Sequence, residues 1–292
     1  MILEPPSVTC IVLNWNGWAD TIECLKALER CVYPRLNVVV VDNGSTNDSV
    51  LRIKAAHPGV ALLEAGRNLG FAGGNNIGIR YALERGADFV WLLNNDTEAA
   101  ADALSALVGK ATGDREIGAV ASVCYYADSP STVQAWAGAR VNLWIGYARN
   151  SVVPRPDAWF QSLYGASILL RSEALREAGL LDEGFFHYLE ETELCLRLVE
   201  KGWRLAAAPE SKILHKVAGS TGRESPVLDR YFTASGLRIL RLHSPAPGLA
   251  MFLFLAARFA RRLARLQFSR CGQVWAGIAD YRMTLPVVQR IR

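Results

Sequence analysis

Three short stretches hold side chains able to act on a charged substrate: WLLNNDT at 91–97, EETE at 190–193 and KILHKV at 212–217. In the first, an apolar run ends abruptly in Asn94-Asn95-Asp96. A turn explains this, because Asn and Asp side chains bond their own backbone. A hard divalent cation on Asp96 explains it too, provided substrate phosphates supply most of the other ligands. In the second, acidic residues open a helix, where they are ordinary partners of the helix dipole. Glu191 follows the aromatic turn Asp182-Glu183-Gly184-Phe185-Phe186, and a carboxylate beside aromatics can also serve as a general base. In the third, His215 ends a short apolar strand and is either a satisfied structural histidine or, beside Asp96, a ligand to metal or diphosphate. Lys216, Ser220, Thr221 and Arg223 follow in a loop whose composition suits closure over phosphates.

The elements that must position these groups follow from periodicity. Val8 to Leu13, Leu36 to Val41, Val60 to Glu64, Asp88 to Leu93 and Ile117 to Cys124 read as buried strands. Between them, helices are expected over Asp20 to Arg30, Ser49 to Ala56, Ala72 to Arg85 and Thr97 to Gly109. That alternation implies a mostly parallel sheet with right-handed crossovers. Ligands of such sheets gather at the carboxyl ends of the strands. The rule brings Asn14-Trp15-Asn16, Asp42-Asn43, Arg67-Asn68 and Asn94-Asn95-Asp96 to one edge. Beyond them, Ala127 to Asp157 reads as strands and loops forming a lid or cleft wall. Strands then follow at Tyr164 to Arg171, Trp203 to Ala208 and Lys212 to His215, with a short helix at Ser172 to Ala178 and a longer one at Leu189 to Lys201. From Pro226 onward the pattern is helical.

Composition narrows the function classes. The chain has 292 residues, 21% charged, enough for a large folded core and against global disorder. A net charge of +4 is too mild to call for nucleic acid, and no nucleic-acid partner is expected. The six cysteines form no C-x-x-C pair, which fits reduced, buried thiols in a cytoplasmic protein better than a disulfide framework. The start, MILEPPS, has no basic n-region, so export is not expected. The longest apolar run, Gly248 to Ala257, is too short to span a bilayer. Neither G-x-G-x-x-G after the first strand, nor a P-loop, nor G-x-S-x-G is present.

Six pieces stand in one order: IVLNWNG, VVVVDNGSTNDS, RNLGFAGGNNIGI, FVWLLNNDT, GASILLRSEALREAGLLDEGFFHYLEETELCLRLVEKGWRL and ILHKVAGST. Together they resemble family 2 glycosyltransferases of the GT-A fold, especially their rhamnosyltransferase-like branch, from about Val8 to Thr221. The resemblance implies an α/β domain over 1–222, with a nucleotide-binding half (1–125) and an acceptor and catalytic half (126–222). It implies a nucleotide-sugar donor, dTDP-L-rhamnose in this branch or a UDP-sugar in the same pocket. Asp42 would bond the pyrimidine, with Asn14, Asn16, Asn43, Arg67, Asn68 and Asn95 around the nucleotide. Asp96 would be the last residue of the family's D-x-D motif, with Asn94 replacing its first aspartate, so the cation (Mg2+ or Mn2+) should arrive largely with the diphosphate. Glu191 falls where the family carries its catalytic base, there an aspartate. His215 matches a histidine that some members use on the metal. The implied reaction is inverting transfer to a hydroxyl of a cell-surface glycan or a polyprenyl-diphosphate-linked precursor. A nucleotidyltransferase and a non-catalytic nucleotide-sugar-binding module are the alternatives.

The remaining stretch, 223–292, is basic. Arg258, Arg261, Arg262 and Arg265 recur at helical spacing beside an apolar face of Leu255, Phe259, Leu263 and Leu266. This describes either a core-packing helix with a solvated basic side or an interfacial helix on anionic lipid at the inner face of the cell membrane.

Overall fold

The computed structural model describes residues 4–216 and 225–283. Its N-terminal part alternates β1 (Val8–Asn14), α1 (Trp18–Glu29), β2 (Leu36–Asp42), α2 (Ser49–Ala56), β3 (Ala61–Glu64), α3 (Gly70–Glu84) and β4 (Phe89–Asn94). Next come β5 (Thr97–Ala99), α4 (Ala103–Gly113), β6 (Ile117–Tyr126), β7 (Ser129–Trp136), β8 (Gly138–Asn142) and β9 (Tyr147–Asn150). β10 (Ser162–Leu163), β11 (Ser167–Arg171), α5 (Ser172–Ala178), α6 (Glu190–Glu200) and β12 (Arg204–His215) complete the α/β part. Three helices close the described chain: α7 (Val227–His243), α8 (Pro247–Ala264) and α9 (Phe268–Met283).

The main sheet has nine strands in the order β3-β2-β1-β4-β11-β6-β12-β5, with β7 paired to β6. β1, β2, β3, β4, β6 and β12 run one way; β5, β7 and β11 run against them. Helices cover both faces. Phe89, Trp91 and Leu93 enter one core while Val90 and Leu92 enter the other. That two-sided burial is why the run before Asn94 reads as continuously apolar rather than alternating.

Several local expectations yield to tertiary pairing. Thr97 to Ala99 is a strand instead of the first turn of a helix, because it pairs antiparallel with Ile213, Leu214 and His215. A ladder bond to a fixed partner outweighs the weak helix preference of Glu98-Ala99. The two strands expected on either side of Pro209 are one strand, β12, whose register shifts between Ala208 and Lys212. A bulge absorbs the proline, which has no N–H to give the ladder. The strand expected from Tyr164 starts at Ser167. The segment 127–163 builds β7 and a separate three-stranded sheet, β10-β8-β9, and lines none of the main cavity.

The C-terminal helices join the α/β part through a third core. Phe185 and Leu189, from the loop before α6, are buried with Leu237, Leu240, Phe254 and Ile278. A buried bidentate ion pair fastens the same loop to α7: Arg238 Nε and Nη2 donate to Asp182 Oδ2 and Oδ1 at 2.7 and 2.8 Å. The arginines expected to share a solvated face divide. Arg258 and Arg262 turn inward and donate to Asp229 Oδ1 at 2.7 and 2.6 Å, and Arg270 reaches Asp229 Oδ2 at 3.1 Å. Arg261 and Arg265 stay exposed. No helix of the described residues is long and apolar enough to cross a membrane.

Candidate active site

A cavity of about 780 Å³ opens at the carboxyl ends of β1 and β4, a size suited to a small-molecule ligand. In-register parallel pairing sets Asn14 beside Asp42, and Leu13 beside Asn94. Asn14 and Asp42 are buried and satisfy each other. Asn14 Nδ2 donates to Asp42 Oδ1 at 2.8 Å and to Ser45 Oγ at 3.1 Å, and its Oδ1 accepts from Thr21 Oγ1 at 2.9 Å. Asp42 also accepts from Ser45 Oγ (2.6 Å) and Ser45 N (3.0 Å). Neither residue lines the cavity, and Arg67 lies exposed outside it.

Asn16, Asn43, Asn68 and Asn95 do line it. Asn16 adopts a left-handed conformation (φ 55°), tolerated by asparagine, and its Oδ1 accepts from Thr46 N at 2.8 Å. Asn43 bridges neighbouring loops: its Nδ2 donates to Asn68 Oδ1 and Gly70 O, and its Oδ1 accepts from Leu69 N. Asn95 Nδ2 donates to Thr21 Oγ1 at 3.0 Å and braces the start of α1. This side of the cavity is neutral, polar and internally bonded.

Asp96 and His215 come together on the cavity wall, 3.2 Å between Asp96 Oδ1 and His215 Nε2. The β5–β12 pairing is responsible, since Thr97 sits opposite His215 and Lys216 N donates to Asp96 O at 3.0 Å. The other imidazole nitrogen, Nδ1, lies 2.8 Å from Gln134 Oε1. One carboxylate oxygen and one imidazole nitrogen form a donor pair that fits Mg2+ or Mn2+. Among the described residues no three His, Cys, Asp or Glu side chains gather to hold a metal unaided. The residues therefore fit a cation that takes its other ligands from a diphosphate and water. Beside them Lys216 Nζ is paired with Asp20 Oδ1 at 2.6 Å. Ser220, Thr221 and Arg223 lie outside the described residues.

Glu190 and Glu191 line the same cavity with Tyr164, Gly165, Phe186 and His187. Two successive non-glycine residues, Tyr188 (φ 72°) and Leu189 (φ 68°), are left-handed and turn the chain sharply into α6. Such geometry costs about 1–3 kcal/mol per residue and persists only where surrounding contacts over-determine it. Those contacts are present. Tyr188 stacks on Phe232 with centroids 4.1 Å apart, Ser235 Oγ donates to His187 O at 2.9 Å, and Phe71 N donates to Phe186 O at 2.8 Å. Gly70, with φ 74°, has no room for a Cβ against Phe186 O, so α3 and this loop meet backbone to backbone. Burial raises the Glu191 carboxyl from 4.5 to about 7, against the pull of backbone N–H donors at the start of α6. Burial first, and the neighbouring Glu191 charge second, push Glu190 well up, and its Oε2 has no hydrogen-bond partner. Burial also drives His187 down to about 4, keeping it neutral.

Sequence reasoning expected helix from Pro226 onward but missed that α7 completes this wall. Leu228 and Tyr231 of α7 line the cavity, and Tyr231 packs on Phe186 with centroids 5.1 Å apart. The Asp182-Glu183-Gly184 turn gave a faint signal, as a conspicuous acidic turn requiring a partner. Ser45, Thr21, Tyr164 and Gln134 carried no local signal, because their roles arise from contacts between distant strands.

The sequence and fold match known glycosyltransferases. Residues 9–181 match the family model described as Glycosyl transferase family 2. The chain is 28% identical over 226 residues to the N-acetylglucosaminyl-diphospho-decaprenol L-rhamnosyltransferase of Mycobacterium tuberculosis, covering 68% of this chain and 73% of that one. It is 26% identical over 217 residues to the dTDP-rhamnosyl transferase RfbF of Shigella flexneri, covering 70% of each. In fold it resembles the mannosyltransferase PcManGT from Pyrobaculum calidifontis, solved in complex with GDP-Man and Mn2+. That likeness has a TM-score of 0.59 at 19% identity, over 97% of this chain and 76% of that one. The fold is therefore GT-A, and the chain belongs to glycosyltransferase family 2, whose members draw on nucleotide-sugar donors.

Proposed function

We propose that the chain transfers a hexosyl unit, with inversion, from dTDP-L-rhamnose to a hydroxyl of a cell-surface glycan or a polyprenyl-diphosphate-linked precursor in polysaccharide synthesis. The observation that carries this reading is a single cavity lined at once by Asp96, His215 and Glu191. Glu191, its basicity raised by burial, takes the proton of the acceptor hydroxyl. That oxygen bonds to the anomeric carbon while the carbon–oxygen bond to phosphate breaks, and the electron pair leaves on the nucleoside diphosphate. Asp96 and His215 would hold a divalent cation, Mg2+ or Mn2+, which when bound would neutralise charge on the diphosphate. Asn16, Asn43, Asn68 and Asn95 form the nucleotide wall, with Asn14 and Asp42 fixing it from behind; Arg67 lies outside the cavity and has no part in it. One base and one leaving group make a single displacement, so no protein nucleophile is needed and the anomeric configuration inverts.

The names of the two relatives support a rhamnosyl donor, and the first supports a lipid-diphosphate acceptor. A UDP-sugar would use the same asparagine wall. Protection against thermal unfolding, and slow donor hydrolysis, should be compared for dTDP-L-rhamnose, a UDP-sugar panel and GDP-mannose with Mn2+. Strongest protection by dTDP-L-rhamnose is expected. Protection by UDP-sugars alone replaces the donor, binding without any hydrolysis or transfer favours a binding module, and no effect from any donor sinks the reading.

A membrane-facing role for the C-terminal helices fits a lipid-linked acceptor, at the inner face of the cell membrane. Phe252 (67% exposed), Leu266 (75%), Leu249, Leu263, Phe268 and Trp275 project outward, with Arg261 and Arg265 among them. With Arg258, Arg262 and Arg270 committed to Asp229, apolar insertion carries more of the binding than charge does. Flotation with liposomes should weaken sharply in a Phe252→Glu/Leu263→Glu variant and only modestly when anionic lipid is omitted. Absence of flotation with either lipid rules the role out.

A further inference from the structure

Gln134 is polar and half-buried on β7, and β7 contributes nothing to the cavity wall. β7 lies on one side of β6 and β12 on the other, with Val133 opposite Tyr125 and His215 opposite Tyr126. Gln134 thus reaches across β6 to place Oε1 2.8 Å from His215 Nδ1. On another side of the ring stands Tyr164, its hydroxyl 3.5 Å from Nδ1 and its ring meeting the imidazole edge-on at 72°. The imidazole is therefore held by an amide oxygen and an aromatic ring, with Nε2 left facing Asp96.

An amide oxygen only accepts hydrogen bonds, so a short contact to Nδ1 requires the proton on Nδ1. With a proton on Nδ1, Nε2 faces Asp96 Oδ1 at 3.2 Å, where it either donates a second proton to the carboxylate or offers its lone pair to a cation that displaces that proton. A metal-binding histidine is characteristically oriented in this way, by a second partner on its other nitrogen. We infer that Gln134 is a positioning residue that holds His215 in the Nδ1–H tautomer and so presents Nε2, together with Asp96, to the divalent cation. This rests on the metal reading of Asp96 and His215 proposed above, which the His215→Ala variant tests separately.

Two measurements decide it. In wild-type protein saturated with diamagnetic Mg2+ and dTDP or UDP, 15N-imidazole NMR should show His215 protonated on Nδ1 with Nε2 unprotonated. Gln134→Leu should shift it toward a mixture, with the resonance assigned by its loss in His215→Ala. An Nε2–H tautomer in wild type overturns the inference. Separately, Mn2+ affinity is read by EPR from loss of the free-ion signal, in the presence of dTDP or UDP. Gln134→Leu should weaken it by about 10–100-fold, and Gln134→Glu, which keeps an acceptor oxygen, should restore it to within about three-fold of wild type, well inside that loss. Thermal unfolding without metal separates general destabilisation from loss of affinity, and Gln134→Met stands in if Gln134→Leu fails to fold. Unchanged Mn2+ affinity in the leucine variant, or equal weakening by leucine and glutamate, overturns the role. Wild type binding Mn2+ no better than His215→Ala overturns the metal reading, even where the tautomer is as expected.

Discussion

On one side of the cavity Asn14, Asp42, Asn43 and Asn68 bond to one another and to nearby backbone, leaving few demands unmet. On the other side Glu190 keeps an unpartnered buried oxygen, Glu191 is a carboxyl held near pH 7, and two residues before them are left-handed. The first wall is satisfied and uncharged apart from Asp42, as a binding surface for a constant nucleotide can be. The second is strained and desolvated, as a group that must move a proton near neutral pH has to be. The difference teaches where stability is spent. Strain beside Glu191 is sustained by Asp182–Arg238, the Tyr188–Phe232 stack and the close approach of Gly70.

The sharpest way to break this contrast is Glu191→Gln. Transfer should fall by about 10²–10⁴-fold in kcat, while nucleotide affinity measured by calorimetry stays as in wild type. A comparable loss of nucleotide affinity would erase the distinction between the walls. Next in size is Arg238→Met, which leaves Asp182 buried without its partner. A loss of about 3–5 kcal/mol is expected in denaturant unfolding, as for other buried pairs broken on one side. Where the variant stays folded, kcat should drop more than donor binding does.

Gly70→Ala tests the contact between the walls. An alanine at φ 74° costs about 1–2 kcal/mol for its left-handed backbone alone, and its Cβ meets Phe186 O. Lowered kcat with a displaced 182–189 loop is expected, read by hydrogen exchange of that segment; unchanged exchange argues against the coupling. The last test is pH dependence. On the proposed base role of Glu191, with its carboxyl raised to about 7, kcat/KM should climb about ten-fold per unit below neutrality and level off above it. Stability moves the other way. A carboxyl raised from 4.5 to about 7 on folding favours the folded state fully below about 4.5, and that contribution is lost as pH rises through about 7. Glu191→Gln should thus gain on wild type in Tm by about 3 °C between pH 5 and 8; a constant difference across that range counts against a buried, raised carboxyl.

The sequence by itself determined the alternation of strands and helices, the polar tips Asn16, Asn43, Asn68 and Asn94 to Asp96, and the acidic helix start at Glu190-Glu191. These are local facts, set by hydrophobic period and by which residues end a strand, so they are legible in order along the chain. The resemblance of six ordered pieces added the family and, through it, the expected roles of Asp96, His215 and Glu191. Only the tertiary structure decided that Thr97 pairs with His215, because ladder register between distant segments is not written in either segment alone. It also decided that Tyr231 of α7 closes the cavity and that Arg258 and Arg262 turn toward Asp229 instead of solvent. Helical spacing fixes which residues share a face, but only packing against a neighbour fixes which face is inside.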